Sequence, residues 1–305
     1  MNEIFDVIIL GGGPAGLSAG IYTSRAKLKT LILNEGTTGG QVILTHEIAN
    51  YPGVETVPGF QLVNIMKKQA KSFGCKIKAN LNITKVDLES DIKEVEINNK
   101  TSYKAKSIII TSGGRPRNLG ITGEEEYKGK GVSYCATCDG DFYTDREIVV
   151  IGGGNSALEE ADSLTKYASK VTIIHQFNHF QATKTYIDKA KANEKISFIM
   201  ESEPREIIGN KSVTKVKYEN VKTGKFSEIE TDGVFIFVGY VPGTEKFKNI
   251  IKLSERNEII TDAEMKTNIN GVFAAGDCIK KRFKQVSTAV GDGTVAALSA
   301  IEYIN

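Results

Sequence analysis

Gly11-Gly12-Gly13-Pro14-Ala15-Gly16 decides the fold, because it follows the apolar run Phe5-Asp6-Val7-Ile8-Ile9-Leu10 and opens a helical pattern that continues to Ala26. A strand running into G-x-G-x-x-G and then a helix is the context in which this pattern holds a dinucleotide. The glycines permit the tight turn and the close approach of a pyrophosphate, whose charge the helix N-terminus stabilises. A second apolar strand, residues 30–33, stops just before Glu35, which is placed to accept hydrogen bonds from a ribose diol.

Further along, the same order returns. A strand over residues 147–151 leads into Gly152-Gly153-Gly154-Asn155-Ser156-Ala157, a G-x-G-x-x-A, then a helix expected over residues 158–167 and a strand over 171–174. Each half continues into alternating segments that read as antiparallel strands, Ile83-Thr84-Lys85-Val86-Asp87-Leu88 and Val213-Thr214-Lys215-Val216-Lys217-Tyr218. Each closes on an apolar strand, 107–111 and 233–238. One G-x-G-x-x-G is a weak signal; two with matching sequels are a strong one. A last strand ending in Gly276-Asp277 returns the chain to the first unit, where Asp277 could bind a ribityl or ribose hydroxyl. The expected fold is therefore α/β, two Rossmann-like nucleotide-binding domains with the second inserted into the first. The expected spans are 1–113 with 244–305, and 114–243, with Gly and Pro clustered at both junctions to give a two-stranded hinge.

Composition bounds the function. The 305 residues carry 39 Lys+Arg against 37 Asp+Glu, 40% are hydrophobic and 25% charged, which is an ordinary globular balance and too much length for one core. A net charge of +2 argues against a nucleic-acid partner. No apolar run approaches the roughly 18 residues of a membrane span. Glu3 and Asp6 stand where a signal peptide would be basic, so a cytoplasmic protein is expected. Only seven of the 39 cations are arginine.

Four cysteines are too few for a secreted disulfide scaffold, and Cys135 and Cys138 form a C-x-x-C. In a reducing compartment that pairing means redox chemistry or metal. Zinc would need two more ligands at short spacing, and His46, His175 and His179 are all distant in sequence. Cys75 and Cys278 have no partner spacing and read as packing residues.

At this point the sequence resembles the low-molecular-weight thioredoxin reductases over essentially its whole length. The supporting residues are the first glycine turn, Gly39-Gly40-Gln41, Asn50-Tyr51-Pro52-Gly53, Cys135-Ala136-Thr137-Cys138-Asp139, the second glycine turn, and Gly271 to Asp277 with Gln285. The resemblance implies FAD in the first unit, with its diphosphate over Gly11, Gly13, Pro14, Ala15 and Gly16. The isoalloxazine would lie against Gly40, Gln41, Asn50 and Gln285, and Gly276 and Asp277 would close the site. It implies a dithiol in the inserted unit that reduces thioredoxin, and a homodimer. A C-x-x-C at a helix start lowers one thiol's pKa, and the thiolate attacks a disulfide. Asp139 would then supply or take the proton that the exchange needs; a turn or helix-cap carboxylate is the competing reading.

One stretch departs from the family. NADPH-dependent members carry His-Arg-Arg-x-x-Phe-Arg-Ala after the second strand of the inserted unit, and its arginines bind the 2′-phosphate. Here the frame reads His175-Gln176-Phe177-Asn178-His179-Phe180-Gln181-Ala182, with all three arginines replaced. NADPH affinity should fall steeply, and the neutral Gln176 does not favour NADH either. This pattern is similar to the ferredoxin-dependent flavin thioredoxin reductases of clostridia, so ferredoxin is the expected electron donor. Ferredoxins are typically acidic, and Lys280, Lys281, Arg282 and Lys284 are the candidate docking residues, against the alternative of an ordinary exposed loop. The competing functions are a reductase still using NADPH or NADH weakly, a ferredoxin–nicotinamide reductase, which would not need the C-x-x-C, and a non-enzymatic binding module.

Overall fold

The strand Ile4–Leu10 carries Val7, Ile8 and Ile9 with no solvent exposure at all, the continuous apolar run of a strand covered on both faces. The structure, a computed structural model, describes residues 4–45 and 48–305; Glu3 and His46 lie outside them. Contacts divide the chain into one unit of Met1–Arg115 with Val241–Asn305 and another of Pro116–Tyr240.

In the first unit the parallel order is Lys76–Lys78, Thr30–Leu33, Ile4–Leu10, Thr101–Ile110. The long strand Thr101–Ile110 then serves two neighbours. Its first half pairs antiparallel with Lys93–Ile97, which in turn pairs with Ile83–Asp87, and its second half pairs parallel with Val272–Ala274. The register places Leu10 beside Leu33 and Ile110, and Ala274 beside Ile110, so four strands end together at one edge. Four loops leave that edge and carry the candidate residues, as ligand sites in such sheets require. The helices Pro14–Arg25 and Val286–Ile304 pack closely behind it, since a Cβ at Gly293 would stand 2.2 Å from the Ala15 carbonyl oxygen.

The second unit repeats this plan. Its parallel order is Ile196–Ile199, Lys170–Ile174, Glu147–Ile151, Gly233–Ile236, Val132–Ser133, with helices Asn155–Leu164 and Lys184–Ala192 between strands. The meander Ser202–Gly209, Val213–Asn220 and Phe226–Glu230 is antiparallel and occupies the same place in chain order as its counterpart in the first unit. These are two Rossmann-like domains, the second within the first.

The expected helix over 158–167 starts and ends three residues earlier, at Asn155 and Leu164. Gly154 is extended and acts as its N-cap, while the Thr165 hydroxyl donates to the Asp162 carbonyl at 2.7 Å and closes the last turn from a side chain. The strand expected to end in Gly276-Asp277 stops at Ala274, because Gly276 turns at φ +80°. The two chain crossings, Gly114–Pro116 and Tyr240–Pro242, pair as a two-stranded ribbon. No helix among the described residues is long and apolar enough to cross a membrane.

Candidate functional site

The first glycine turn is built by contacts only glycine allows. Gly11 sits at φ +120°, and a Cβ there would lie 2.2 Å from the Thr111 carbonyl oxygen; one at Gly16 would lie 2.0 Å from the Gly11 oxygen. At Gly13 a Cβ would meet nothing closer than the Gly40 Cα at 3.9 Å, so backbone is open to an approaching ligand where Gly13 and Gly40 face each other. Pro14 opens the helix at its first position, with no amide to leave unsatisfied, and Ala15 is buried. Asn34, which the sequence reading missed, fixes the turn by accepting the Gly12 amide at 2.7 Å. Its position directly before Glu35 was the available signal.

Glu35 stands at the strand end as expected, but Oε1 is already engaged by the Ile83 amide at 2.9 Å and the Lys246 ammonium at 2.7 Å. A ribose would find the carboxylate oriented and charge-balanced rather than bare. Asn50 and Gln285, distant in sequence, are brought together, the Asn50 amide donating to Gln285 Oε1 at 3.4 Å. Gln285 also N-caps the C-terminal helix. Gln41 lines a cavity of about 140 Å³ with Ser112, Arg115, Gly243 and Glu245.

Gly276 and Asp277 follow the last strand, and the Gly276 amide donates to Asp292 Oδ2 at 3.3 Å. Burial pushes the Asp277 carboxyl above its ordinary value, with Lys281 and Lys284 pulling it back. Four buried side-chain oxygens in this unit, those of Ser24, Thr38 and Ser112 and Oδ1 of Asp277, make no hydrogen bond among the described residues. An open glycine cradle, an oriented strand-end carboxylate and buried acceptors or donors awaiting partners suit a dinucleotide rich in hydroxyls and phosphates, and FAD fits them.

In the second unit Cys135 and Cys138 are joined as a disulfide, with Cys135 capping the one-turn helix Ala136–Asp139. The Asp139 carboxylate is held on this loop: the Ser133 hydroxyl donates to Asp139 Oδ2 at 2.6 Å and accepts the Cys135 amide at 3.1 Å. Ser133, absent from the sequence reading because no spacing marks it, thus links the carboxylate to the backbone of the first cysteine. Burial, then the Asp139 charge, raises the nearby Tyr143 hydroxyl to about 12. Cys75 and Cys278 are free and buried; burial pushes the Cys75 thiol to about 11 and the Cys278 thiol upward. No group of three or more His, Cys, Asp or Glu able to hold a metal forms among the described residues.

Beside the second glycine turn, the 175–182 frame makes an aromatic cluster. The His175 ring is buried against Gly153, where a Cβ would come within 2.4 Å of it, and Nε2 lies 3.1 Å from the His179 carbonyl oxygen. The ring stacks on Phe180 at 5.6 Å and meets Phe177 edge-on at 5.4 Å. Burial lowers the His175 pKa. Gln181 pairs with the turn, its backbone N–H donating to the Gly153 carbonyl at 2.8 Å. Gln176, Phe177 and Gln181 are exposed, and no Lys or Arg stands among residues 175–182.

The candidate docking run does not form one outward basic face. Lys281 reaches Asp292 at 2.7 Å and Lys284 reaches Glu258 at 2.7 Å, with side chains 14% and 20% exposed. Lys280 and Arg282 remain exposed, Arg282 lying over the Phe283 ring at 5.0 Å.

A model of the pyridine nucleotide-disulphide oxidoreductase family matches residues 5–293. The thioredoxin reductase of Peptoclostridium acidaminophilum is 45% identical, the match covering 100% of this chain and 98% of that one. A 34.2 kDa protein in the rubredoxin operon of Clostridium pasteurianum is 46% identical over 98% of this chain and 97% of its own. Among solved structures, the thioredoxin reductase from Streptococcus pyogenes matches with a TM-score of 0.95 at 41% identity, covering 99% of each chain.

Proposed function

We propose a ferredoxin-driven activity for this protein, which belongs to the pyridine nucleotide-disulphide oxidoreductase family as one of its low-molecular-weight thioredoxin reductases. It is a flavoprotein disulfide reductase with FAD as cofactor and thioredoxin as the protein it reduces. Bound FAD supplies a carrier that can take electrons from a donor and pass them in pairs to a disulfide. The residues proposed to hold it are Gly11, Gly13, Pro14, Ala15 and Gly16 at the diphosphate and Glu35 at the ribose. Gly40, Gln41, Asn50 and Gln285 lie at the ring, and Gly276 and Asp277 beside the polyol chain.

The proposed chemistry of the inserted unit runs through Cys135 and Cys138. Reduction breaks their S–S bond and adds two electrons and two protons. One thiolate then attacks the thioredoxin disulfide, forming a mixed disulfide and releasing a thioredoxin thiolate; the second thiolate displaces the other sulfur and re-forms the Cys135–Cys138 bond. Asp139, tethered through Ser133, is proposed to hold the proton that the departing thioredoxin sulfur takes up.

The observation that carries the choice of donor is the 175–182 frame, where an exposed Phe and two Gln stand at the positions of three phosphate-binding arginines. A phosphate dianion has no charge-assisted partner there. An iron–sulfur donor near about −400 mV stands roughly 130 mV below thioredoxin at about −270 mV, or about 6 kcal/mol for two electrons. Two one-electron donors and two protons thus suffice for each disulfide. A homodimer, carried over from the family, and the cytoplasmic setting expected from the sequence belong to the same reading.

Because the Lys281 and Lys284 side chains are only 14% and 20% exposed while Lys280 and Arg282 lie at the surface, the proposed docking contribution narrows to Lys280 and Arg282. Reversing both, Lys280→Glu with Arg282→Glu, is expected to slow ferredoxin-driven thioredoxin reduction about tenfold at low ionic strength, the deficit shrinking as salt screens the wild-type attraction. Stopped-flow rates across a salt series check this; rates indifferent to both salt and charge reversal would remove this loop from the docking face.

A further inference from the structure

Lys281 is a surface-loop lysine by sequence and an interior one by geometry. Its Nζ lies 2.7 Å from Asp292 Oδ2 and 3.5 Å from Asp277 Oδ1, and it donates to Thr288 Oγ1 at 3.2 Å. Asp292 Oδ2 also accepts the Gly276 amide at 3.3 Å, which fixes the turn that presents Asp277. Thr288 Oγ1 accepts the Gln285 amide at 3.1 Å, and Gln285 in turn receives Asn50 at 3.4 Å. A single ammonium therefore ties the Gly276-Asp277 turn to the first turns of the C-terminal helix and, through them, to Asn50.

The charged and titratable groups around the Asp277 carboxylate are Lys281, Lys284, Asp292 and the Cys278 thiol. Lys284 donates to the Asp277 carbonyl at 3.1 Å and reaches Glu258 at 2.7 Å, while Lys281 stands 3.5 Å from Asp277 Oδ1. Asp277 Oδ1 is buried and makes no hydrogen bond among the described residues, which leaves it available as an acceptor.

We propose that Lys281, clamped by Asp292, is a positioning residue for the cofactor: it keeps the Asp277 carboxylate ionised and aimed, so that Asp277 accepts a hydrogen bond from a hydroxyl of FAD. The inference rests on the placement of Asp277 in the FAD site proposed above. Burial already raises this carboxyl, and Lys281 opposes the rise. Without Lys281 the folded pKa moves further up. The ionised form is present above that pKa and lost as pH falls through it, so the variant would lose it at a higher pH than wild type does.

The test is FAD release from purified holoenzyme, followed by recovery of free-flavin fluorescence on dilution, at pH values from roughly 5.5 to 9. Lys281→Met is expected to hold FAD almost as wild type does at the alkaline end and to lose about tenfold in affinity per pH unit below the new pKa. Lys281→Arg should restore the wild-type profile, and adding Asp277→Asn to Lys281→Met should flatten it. Lys281→Gln replaces the methionine variant should that one not fold. A loss of equal size at every pH, or a wild-type profile in Lys281→Met, would overturn the proposal. Wild-type affinity in Asp277→Asn alone would instead overturn the Asp277 placement on which it rests.

Discussion

Replacing either Cys135 or Cys138 by serine is expected to lower steady-state thioredoxin reduction by at least about a thousandfold while FAD stays bound. A hydroxyl cannot form the disulfide, and its proton is held too tightly for it to serve as the nucleophile near neutral pH. The two variants should fail differently. Whichever cysteine meets thioredoxin can still attack its disulfide when left alone, but the mixed disulfide then has no second thiol to resolve it. One variant should therefore accumulate a covalent thioredoxin adduct, seen as a mass increase under non-reducing conditions, and the other should not. That asymmetry identifies the attacking sulfur, which neither the spacing nor the half-buried environment of both cysteines decides. Appreciable turnover in either serine variant would contradict the proposed route.

Rebuilding the lost arginines is the second large effect. Gln176, Phe177 and Gln181 are exposed, so arginines there reach solvent at the cost of the Phe177 ring contacts with His175 and His179, and the Gln181 backbone is anchored to the Gly153 carbonyl whatever side chain it carries. The variant Gln176→Arg, Phe177→Arg, Gln181→Arg should bind NADPH about a hundredfold to a thousandfold more tightly. Two charge-assisted contacts of about 1.5–2 kcal/mol each, at the low end for such bonds, account for that range. NADH, lacking the phosphate, should gain far less. Equilibrium binding of both nucleotides checks the result. An equal gain for the two would mean that the arginines act by general attraction, and no gain for NADPH would mean that the 175–182 frame is not where a 2′-phosphate sits.

The repeat was the most legible part of the sequence, because its signals are backbone demands. Gly11 and Gly152 both take positive φ with a carbonyl oxygen pressed against the place of a Cβ, so no other residue fits, and the apolar strands before them are buried on both faces. The dithiol was legible for the same reason, as a spacing that chemistry imposes. What remained hidden were side-chain partnerships across loops. Nothing in the order Lys280-Lys281-Arg282-Phe283-Lys284 tells which lysines turn inward, since that depends on Asp292 one helical stretch away and on Glu258 before the last strand. Lys246 on Glu35 and Ser133 on Asp139 were hidden likewise, each a single contact with no periodicity behind it. The helix from Asn155 began earlier than expected because Gly154 caps it from an extended conformation, a distinction that residue type alone does not make.

The claim that electrons arrive from ferredoxin and not from a nicotinamide is tested most directly by mixing the oxidised enzyme anaerobically with NADPH, with NADH and with reduced ferredoxin, and following the flavin's visible absorbance. Rapid, complete bleaching by reduced ferredoxin, with slow or partial bleaching by either nucleotide at concentrations that saturate ordinary family members, is the predicted result. Rapid and complete bleaching by NADPH at low concentration would contradict it.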